Sequence, residues 1–459
     1  MTYWRPTRRF TCSQDRYLAR EGPVAVLLNF RVANHRSLRD EQELDLRRVY
    51  DQRQDATNVA AIFGANASGK STVLGALRFM HDAVLDRSRN WNRDEGIPRK
   101  PFLLDRDSAA NPSSFAVELL LDGVRHVYGF TVDSRQVLEE WCYSYPTPKR
   151  RTLFRREGQK FSFGTTVSQA RSRLLAEITP SNVLFMTTVH RTGQEPYGAV
   201  ADWFRRSLWF LAPGEEGGYG VSRELLTDGR LGKAVLQLLR AADLGISAVT
   251  VKQQQQEPGE FSGGPAGRIV VQPWDEKQVH LPVPEWDPIE LNERLSGQSV
   301  RFTHAGTIQG EFSSSDESHG TRVWFSLLGV AVQALLGGWT IVIDEIDSSL
   351  HPLLLAEFVR LFQAPTTNTS NAQLICTTHD ATLLGRRRGE EILQRDQVWF
   401  TEKEPETGAS TLYALTEFSP KIGLNWERRY LGGAVGGVPF IDEDKFLGAV
   451  GSGVESSDG

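Results

Sequence analysis

The chain of 459 residues contains few sulfur-bearing side chains, only three cysteines and three methionines. Cys12, Cys142 and Cys376 are far apart and odd in number, so they predict neither a disulfide framework nor a cysteine-rich metal site. Isolated cysteines are typical of a reducing compartment, and we therefore expect a cytoplasmic location.

The chain also lacks a long apolar run and an excess of positive charge. No apolar run is expected to reach the length of a membrane span, and the basic, polar N-terminus has no apolar core of a secretory signal. We therefore expect no membrane partner and interpret residues 1–22 as a flexible extension. With 52 lysines and arginines against 57 aspartates and glutamates, the net charge of −5 provides no global field that attracts nucleic acid.

Three short basic runs remain as local candidates for contact with phosphate groups. They are residues 149–151, 155–156 and 386–388. Runs of this kind are usually solvated surface, and contact with nucleic acid is the alternative that stays open.

A glycine-rich segment in the first quarter of the chain is the clearest motif. Residues 64–71, Gly-Ala-Asn-Ala-Ser-Gly-Lys-Ser, match the pattern G-x-x-x-x-G-K-[ST], in which backbone N–H groups surround nucleotide phosphates. A buried strand is predicted at 59–63 and a helix at 72–80, whose N-terminus would face the phosphates. Lys70 is expected to reach the β- and γ-phosphates of ATP, and the Ser71 hydroxyl to bind Mg²⁺. The predicted contacts to ATP are Gly64, Ala65, Asn66, Ala67, Ser68, Gly69, Lys70, Ser71 and Thr72.

The other patterns divide the chain into an extension, an N-terminal ATPase lobe, an insertion, a C-terminal ATPase lobe and a tail. The corresponding ranges are 1–22, 23–165, 166–310, 311–440 and 441–459. Alternating apolar and polar residues around Asp122-Gly123 predict a hairpin within an antiparallel lobe. The insertion is predicted to be helical, with its clearest amphipathic helix at 231–244 and a loop at 252–268.

A second motif is consistent with the phosphate loop. The apolar run at 340–343 predicts a buried strand, and Asp344-Glu345 follows it directly. Asp344 is placed to hold Mg²⁺ through water, and Glu345 to orient and deprotonate an attacking water. An acidic turn without a catalytic role is the alternative.

The order of these motifs carries a resemblance. Residues 347–352, Asp-Ser-Ser-Leu-His-Pro, follow the acid pair, and an apolar strand at 373–377 ends in Thr377-Thr378-His379-Asp380. This is the order in ABC-type ATPase heads, and within that class the chain resembles the AAA15/AAA21 ATPases, relatives of the OLD, SMC and Rad50 ATPases. The resemblance covers about residues 24–440 and extends to residues 29–38, 66–71, 243–246, 395–400 and 430–433. It implies an α/β fold, an ABC-type P-loop ATPase head with a mixed core sheet, an antiparallel β lobe and a helical insertion.

The resemblance also implies roles for individual residues. Lys70, Glu345 and His379 would be catalytic, His379 as the switch histidine that hydrogen-bonds the γ-phosphate and water. Ser318 and Gly320 would form a degenerate ABC signature that contacts the γ-phosphate bound by a second protomer, although a helix cap at Ser318 explains the same residues. Asp347 would belong to the loop that joins the two protomers' sites.

One part of an ABC head is missing from the sequence. The glutamine that senses Mg²⁺ between the lobes is expected within residues 187–191, where none occurs. Gln194 is close, and His190 is a candidate substitute. Arg36 is a candidate for adenine recognition, with an ordinary surface arginine as the alternative.

Together these observations predict an ATP-hydrolysing protein that forms a homodimer or higher homo-oligomer around ATP and Mg²⁺. It is expected to regulate a separate effector, a nuclease or toxin, as relatives in antiphage defence do. Residues 442–444, Asp-Glu-Asp, predict a solvated turn rather than a nuclease site. Two alternatives stay open: a repair or chromosome-maintenance ATPase acting on DNA, and an ATP-bound scaffold that restrains a toxin.

Overall fold

The computed structural model describes most of the chain between Ala25 and Val438 and a few residues beyond. The described residues are 25–50, 54–87, 96–193, 196–211, 216–253, 293, 296–306, 310–418, 424–439, 442 and 445. The predicted N-terminal extension and nearly all of the predicted tail lie outside this part of the chain.

A seven-stranded antiparallel sheet forms the predicted β lobe. Its strands are β1 (Ala25–Ala33), β2 (Gln42–Asp45), β4 (Ser113–Leu121), β5 (Val124–Val132), β6 (Val137–Tyr145), β7 (Arg151–Glu157) and β8 (Lys160–Phe163), in the order β2-β1-β4-β5-β6-β7-β8. The predicted hairpin is present because Asp122 and Gly123 both take positive φ angles, 48° and 74°, as a two-residue hairpin turn requires.

A six-stranded mixed sheet forms the centre of the molecule. Its strands are β3 (Val59–Gly64), β9 (Leu208–Leu211), β13 (Thr340–Ile343), β14 (Gln373–Thr377), β17 (Val398–Lys403) and β18 (Ser410–Ala414), in the order β18-β17-β3-β14-β13-β9. Five strands are parallel, and β18 pairs with β17 in the antiparallel direction. The predicted mixed core sheet is therefore confirmed, and the strands predicted at 340–343 and 373–377 have the predicted bounds.

Helices cover both faces of the central sheet. The α-helices in the described part of the chain are α1 (Lys70–Val84), α2 (Arg106–Ala110), α3 (Gln169–Ile178), α4 (Phe185–Thr192), α5 (Gly198–Asp202), α6 (Glu216–Leu226), α7 (Leu231–Ala241), α8 (His319–Gly337), α9 (Pro352–Gln363) and α10 (Trp426–Leu431). Alternate residues of β3 explain the two layers: Ala60 and Ile62 pack with α1 and the β lobe, whereas Ala61 and Phe63 pack with α8 and α9.

Helix α8 is long and apolar enough to cross a membrane by length and composition, contrary to the expectation that no apolar run reaches that length. It is the one such helix among the described residues, and 78% of its apolar window is buried inside the protein. Because α6 and α7 pack against it, α8 is a buried helix of the hydrophobic layer that also contains Ala61 and Phe63 of β3.

The predicted insertion at 166–310 is not helical throughout. Strand β9 lies within it and forms the edge of the central sheet. Strands β10 (Ile246–Gln253), β11 (Gln298–His304) and β12 (Gly310–Ser313) form a separate sheet in the order β10-β11-β12. A four-residue apolar run such as Leu208–Leu211 has no periodicity that distinguishes a strand from a buried helix. Of the predicted loop at 252–268, residues 252–253 end β10 and the rest lies outside the described residues.

The basic run at 155–156 is divided between the two faces of the β lobe. Arg155 is exposed, whereas Arg156 and Glu140 are fully buried, with 3.5 Å between their charged groups. Neighbouring residues of a strand point to opposite faces, so one arginine enters the core. The run at 386–388 begins in a short hairpin of β15 (Arg386–Arg387) and β16 (Glu390–Glu391). Arg387 pairs with Glu357 at 2.8 Å and Arg386 with Glu391 at 3.3 Å.

Candidate nucleotide-binding site

The phosphate loop connects the end of β3 to the start of α1, as predicted. Its two outer glycines are required by close contacts: a Cβ atom at Gly64 would lie 2.5 Å from the hydroxyls of Ser68 and Thr401. At Gly69, where φ is 113°, a Cβ atom would lie 2.6 Å from the Ser410 hydroxyl. The backbone can therefore take this curved path only with glycine at both positions.

The start of α1 offers free N–H groups to an anion. Gly69 is its N-cap residue, so no side chain caps the helix, and its first turn contains no acidic residue. A helix N-terminus of this kind attracts phosphate through its unpaired N–H groups and its dipole. The described geometry of the loop therefore fits the predicted binding of nucleotide phosphates.

Lys70 lies within this loop. Its ammonium group donates hydrogen bonds to the carbonyl oxygens of Gly64 at 2.8 Å and Ala65 at 3.0 Å. Burial lowers the pKa of Lys70, while the nearby carboxylates of Glu345, Asp344 and Asp347 act in the opposite direction. The lysine and the three acids predicted from separate motifs thus belong to one electrostatic site.

Residues outside the predicted motifs hydrogen-bond to the phosphate loop or to one another beside it. The Ser68 hydroxyl lies 2.6 Å from the Thr401 hydroxyl, and the N–H of Ser410 donates to the Ser37 carbonyl at 2.7 Å. These partners come from β17, β18 and the turn after β1, so only the folded arrangement identifies them. Their effect is to hold the loop in one conformation.

The C-terminal segment also reaches the loop. The Tyr430 ring packs edge-on against Phe63 with 5.7 Å between ring centroids, and its hydroxyl donates to the Gly437 carbonyl at 3.3 Å. A Cβ atom at Gly437 would lie 3.6 Å from the Cα atom of Gly64. The Tyr-Leu-Gly-Gly stretch at 430–433, noted above as a point of resemblance, therefore belongs to the support of the phosphate loop.

The acid pair lies near the phosphate loop because β3, β14 and β13 are neighbouring parallel strands that end at the same edge of the sheet. Only β14 lies between the strand of the phosphate loop and the strand of the acid pair. The buried Thr377 hydroxyl, at the end of β14, donates to Asp344 Oδ1 at 2.5 Å. The Thr377 hydroxyl oxygen in turn accepts the N–H of Glu345 at 2.7 Å. Glu345 is exposed and has a positive φ of 50°, so its carboxylate projects beyond the strand while Asp344 is held beside it.

His379 and Asp347 are brought together as neighbouring parts of the same edge. The N–H of His379 donates to Asp347 Oδ1 at 3.2 Å, and the His379 side chain is exposed. The imidazole is thus free to contact a bound group, whereas its backbone is anchored to the loop that follows the acid pair.

Ser318 and Gly320 lie at the start of α8. Ser318 is the N-cap residue, and its hydroxyl accepts the N–H of Thr321 at 3.1 Å, so the helix-cap interpretation is confirmed. A Cβ atom at Gly320 would lie 2.8 Å from the Ser349 carbonyl, which places this segment against the loop that contains Asp347. None of the described contacts joins Ser318 or Gly320 to the phosphate loop of the same chain, and a contact in trans stays a prediction.

The predicted position of the lobe-coupling glutamine is at the wrong end of α1. The Thr187 hydroxyl donates to the Ala83 carbonyl at 2.9 Å, and Arg191 pairs with Asp86. Ala83 is one residue from the end of α1, about 20 Å from Lys70 at the usual helical rise. His190, one turn after Thr187 in α4, therefore does not substitute for this glutamine, and Gln194 lies outside the described residues.

The donor set suits Mg²⁺ held mainly by a nucleotide. Asp344 offers carboxylate oxygens and Ser71 a hydroxyl, the hard ligands that Mg²⁺ prefers when it also binds phosphate oxygens and water. Among the described residues no group of three or more histidine, cysteine, aspartate or glutamate side chains could hold a metal by itself. Asp442 is paired with Lys445 at 2.9 Å, and Asp444 lies outside the described part of the chain.

Arg36, the candidate for adenine recognition, is exposed in the turn after β1. Its N–H donates to the Lys100 carbonyl at 2.6 Å, and φ is 51°. The next residue, Ser37, contacts the Thr72 hydroxyl at 3.4 Å, which places the turn beside α1. Its role toward adenine stays a prediction.

Comparison with protein families matches residues 59–385 to AAA_21, described as "AAA domain, putative AbiEii toxin, Type IV TA system". No curated protein matches the chain significantly. The matched range contains the phosphate loop, the acid pair and His379.

Several solved structures of SMC head domains are similar to the chain. An SMC head bound to the C-terminal winged-helix domain of ScpA and the SMC head from Thermotoga maritima are each 12% identical, cover 84% of this chain and 97% and 98% of their own, and have TM-scores of 0.40. An SMC head with an extended coiled coil, bound to the C-terminal domain of ScpA from Pyrococcus furiosus, is 11% identical over 86% of this chain and 97% of its own, with a TM-score of 0.40.

Proposed function

Since the chain belongs to the AAA_21 family of AAA domains, we propose that it is an ABC-type ATPase head that binds and hydrolyses ATP and passes its nucleotide state to a partner protein. The observation that carries this proposal is the contact of Thr377 with both members of the acid pair. A structural acidic turn does not require a buried hydroxyl to orient its two residues beside a phosphate loop.

Each part of the site has a distinct task. The N–H groups at the start of α1 and the Lys70 ammonium group would hold the β- and γ-phosphates of ATP. Ser71 and Asp344 would hold Mg²⁺, which neutralises phosphate charge when bound. Glu345 would orient the attacking water and accept its proton, and His379 would donate a hydrogen bond to the γ-phosphate.

Dimerisation around ATP is the second element of the proposal. Ser318 and Gly320 begin a long helix beside the Asp347 loop rather than beside the chain's own phosphate loop. A helix N-terminus offered by a second protomer would complete the phosphate contacts, with Asp347 at the boundary between the two sites. ATP would then hold two copies of the chain together head to head.

The biological output is proposed to reside on a separate effector, a nuclease or a toxin, in bacterial antiphage defence. The strong motifs of the chain are all used by ATP, and we place effector docking on residues 165–300, the part least committed to nucleotide. The matched family is described as a putative toxin of a type IV toxin–antitoxin system, so a second candidate function is that of an ATP-bound scaffold that restrains a toxin partner. We also propose that the protein is cytoplasmic.

Calorimetry and turnover measurements on two variants test the ATPase. Lys70→Ala removes the ammonium group that faces the phosphates and is expected to weaken ATP binding strongly. Glu345→Gln keeps the shape of the side chain but removes the base, so binding should persist while hydrolysis falls by roughly 100-fold or more. Wild-type turnover in Glu345→Gln, or unchanged ATP affinity in Lys70→Ala, would contradict the proposal.

Co-purification of the protein with products of its neighbouring genes tests the effector. A switch driven by ATP requires a partner that binds the two states with different affinities. Adding ATP should therefore strengthen or dissolve the complex for wild type and leave it unchanged for Lys70→Ala. The single chain is expected to cleave neither DNA nor RNA, and nuclease activity abolished by Asp442→Ala would place the output on this chain instead.

A further inference from the structure

The outer face of the β lobe carries a row of aromatic side chains that the ATP site does not use. Tyr128 and Cys142, paired on β5 and β6, are fully buried and face the core that contains α1. Since strand residues alternate between faces, Trp141, Tyr143 and Tyr145 lie on the opposite, outer face. All three are only partly buried.

A glycine lies beneath the Trp141 ring on the neighbouring strand. Gly129 pairs with Trp141, and a Cβ atom at Gly129 would lie 2.5 Å from the indole Cζ2 atom. The indole therefore lies across the glycine rather than standing on the sheet. Val127, which pairs with Tyr143, is buried in the same row.

Arginine side chains lie on the tyrosine rings. The guanidinium carbon of Arg125 is 4.0 Å from the centroid of Tyr145, and that of Arg150 is 4.7 Å from the centroid of Tyr143. Arg155 pairs in register with Trp141 on the neighbouring strand. Planar cations and aromatic rings thus alternate across three strands.

The charge of this area is positive. The turn between β6 and β7 exposes Lys149, Arg150 and Arg151 next to the tyrosines. Glu118, on the same face, is already paired with Arg47 at 2.7 Å and Arg125 at 3.2 Å. The positive area ends at two exposed glutamates that pair in register, Glu139 and Glu157, and Glu157 is paired with Arg155 at 2.8 Å.

We propose that this aromatic face, defined by Trp141, Tyr143, Tyr145, Arg150 and Arg155, binds single-stranded nucleic acid. Unpaired bases stack on aromatic rings and on guanidinium planes, whereas the bases of a duplex are already stacked on each other. Lysine and arginine at the adjoining turn supply the contacts to phosphate that give affinity. The positive charge complements a polyanion, and the rings specify one with accessible bases.

The aromatic face is separate from the nucleotide site. The sheet of the β lobe lies between the aromatic face and the core that contains α1, the helix that follows the phosphate loop. A bound nucleic acid would therefore not contact the ATP site. Any effect of it on that site would pass through the sheet and α1. Binding is expected without ATP, so this inference stands or fails independently of the proposed ATPase.

Fluorescence anisotropy of the full chain tests the inference. The probes are labelled thymidine and uridine strands of about 20 nucleotides, longer than the usual site of one stacking platform, and a duplex of equal length at the same low ionic strength. Both single strands are expected to bind more tightly than the duplex. The tighter of the two single strands identifies DNA or RNA as the ligand.

Matched variants distinguish binding by the aromatic face from non-specific attraction of nucleic acid to positive charge elsewhere on the protein. Tyr143→Leu is expected to weaken single-strand binding by roughly fivefold or more, the usual effect of losing one stacked base. Tyr50→Leu is the control for this substitution. Tyr50 is also a tyrosine at the surface, 55% exposed, and the guanidinium carbon of Arg395 lies 5.5 Å from the centroid of its ring, but it is outside the aromatic face. Arg150→Glu should weaken binding and its salt dependence, whereas Arg388→Glu, the same charge change at another exposed arginine, should not.

Thermal unfolding should show the four variants folded, since all four positions lie at the surface or partly exposed. Equal losses in Arg150→Glu and Arg388→Glu, equal affinity for duplex and single strands, or displacement by polyglutamate as efficient as by a strand would each overturn the proposal. Absence of single-strand binding by wild type would do the same.

Discussion

At the scale of single residues, Thr377 has the clearest function outside the predicted motif roles. Its hydroxyl is fully buried and joins the Asp344 carboxylate to the backbone of Glu345. A hydroxyl can donate one hydrogen bond and accept another, which a valine of the same shape cannot. Thr377 is thus a positioning residue for both acids.

Thr377→Val is expected to lower ATP turnover more than ATP affinity, because it leaves the acid pair present but free to move. It should also cost about 1–3 kcal/mol of stability, the usual effect of an unpaired buried polar group. Thr340→Val is the matched control, since the equally buried Thr340 hydroxyl contacts Gln373 at the other end of the same strand pair. A similar loss of turnover in both variants would show that the effect is general destabilisation.

His35 provides a prediction about pH. It is 2% exposed and packs against the rings of Phe79 and Phe115, and its pKa is lowered to about 4 by burial and, to a smaller extent, by Arg36 and Lys100. The unfolded chain takes up this proton near pH 6.5 and the folded chain only near pH 4. The resulting stabilisation is complete above pH 6.5 and is lost as the pH falls toward 4, a change of up to about 3 kcal/mol.

The midpoint of thermal unfolding should therefore fall between pH 7 and pH 4.5 in wild type. In His35→Phe, which keeps an aromatic ring but cannot take up a proton, the fall should be smaller. Parallel pH profiles for the two proteins would mean that other groups control acid stability.

At the scale of elements, the buried pair Glu140–Arg156 joins two strands to the start of α4. The Glu140 carboxylate accepts the N–H groups of Phe185 at 2.6 Å and Met186 at 2.9 Å. Arg156 donates to the carbonyls of Val183 at 2.6 Å and Pro180 at 3.0 Å. Burial raises the pKa of Glu140, and Arg156 together with the two N–H groups opposes that rise.

Arg156→Ala is expected to destabilise the protein by about 3–5 kcal/mol, because it leaves a buried carboxylate without its cation. Arg155→Ala removes the neighbouring arginine, which makes only an exposed pair with Glu157 at 2.8 Å, and should cost at most about 1 kcal/mol. Denaturant unfolding of the two variants checks the difference. Equal effects would show that the buried pair does not hold α4 in place.

At the scale of the whole molecule, the parts of the nucleotide site are divided between two clusters. Lys70, Asp344 and Glu345 share one edge of the central sheet, whereas Ser318 and Gly320 lie at the start of α8 against the Ser349 loop. If the second cluster serves a second protomer, two defective chains can form one intact site.

An equal mixture of Lys70→Ala and Ser318→Arg should therefore recover about a quarter of wild-type ATPase activity, because half of the dimers are mixed and each has one intact site of two. Each variant alone should be inactive. Light scattering must show that dimers form with ATP. An inactive mixture of proven dimers would restrict Ser318 to its role as a helix cap.

Much of the fold could be predicted because its signals are local. The strands at 59–63, 340–343 and 373–377 are short apolar runs that end in distinctive polar residues, and the structure confirms them. Strand β9 was missed because its four residues carry no period. The position assigned to the lobe-coupling glutamine was wrong because sequence order does not show which end of α1 a later helix contacts.

The sequence by itself determined the phosphate loop, the acid pair, His379 and the family, since each depends on residue types at fixed spacing. Only the tertiary structure decided that β14 lies between β13 and β3, which brings Thr377 to the acid pair. It also decided that Gln373 joins the two sheets through paired hydrogen bonds to Leu27, at 2.7 and 2.9 Å, across 346 positions. The physical reason is that strand order and long-range contacts follow from which buried faces and polar groups can be satisfied together, a property of the whole packed chain rather than of any segment.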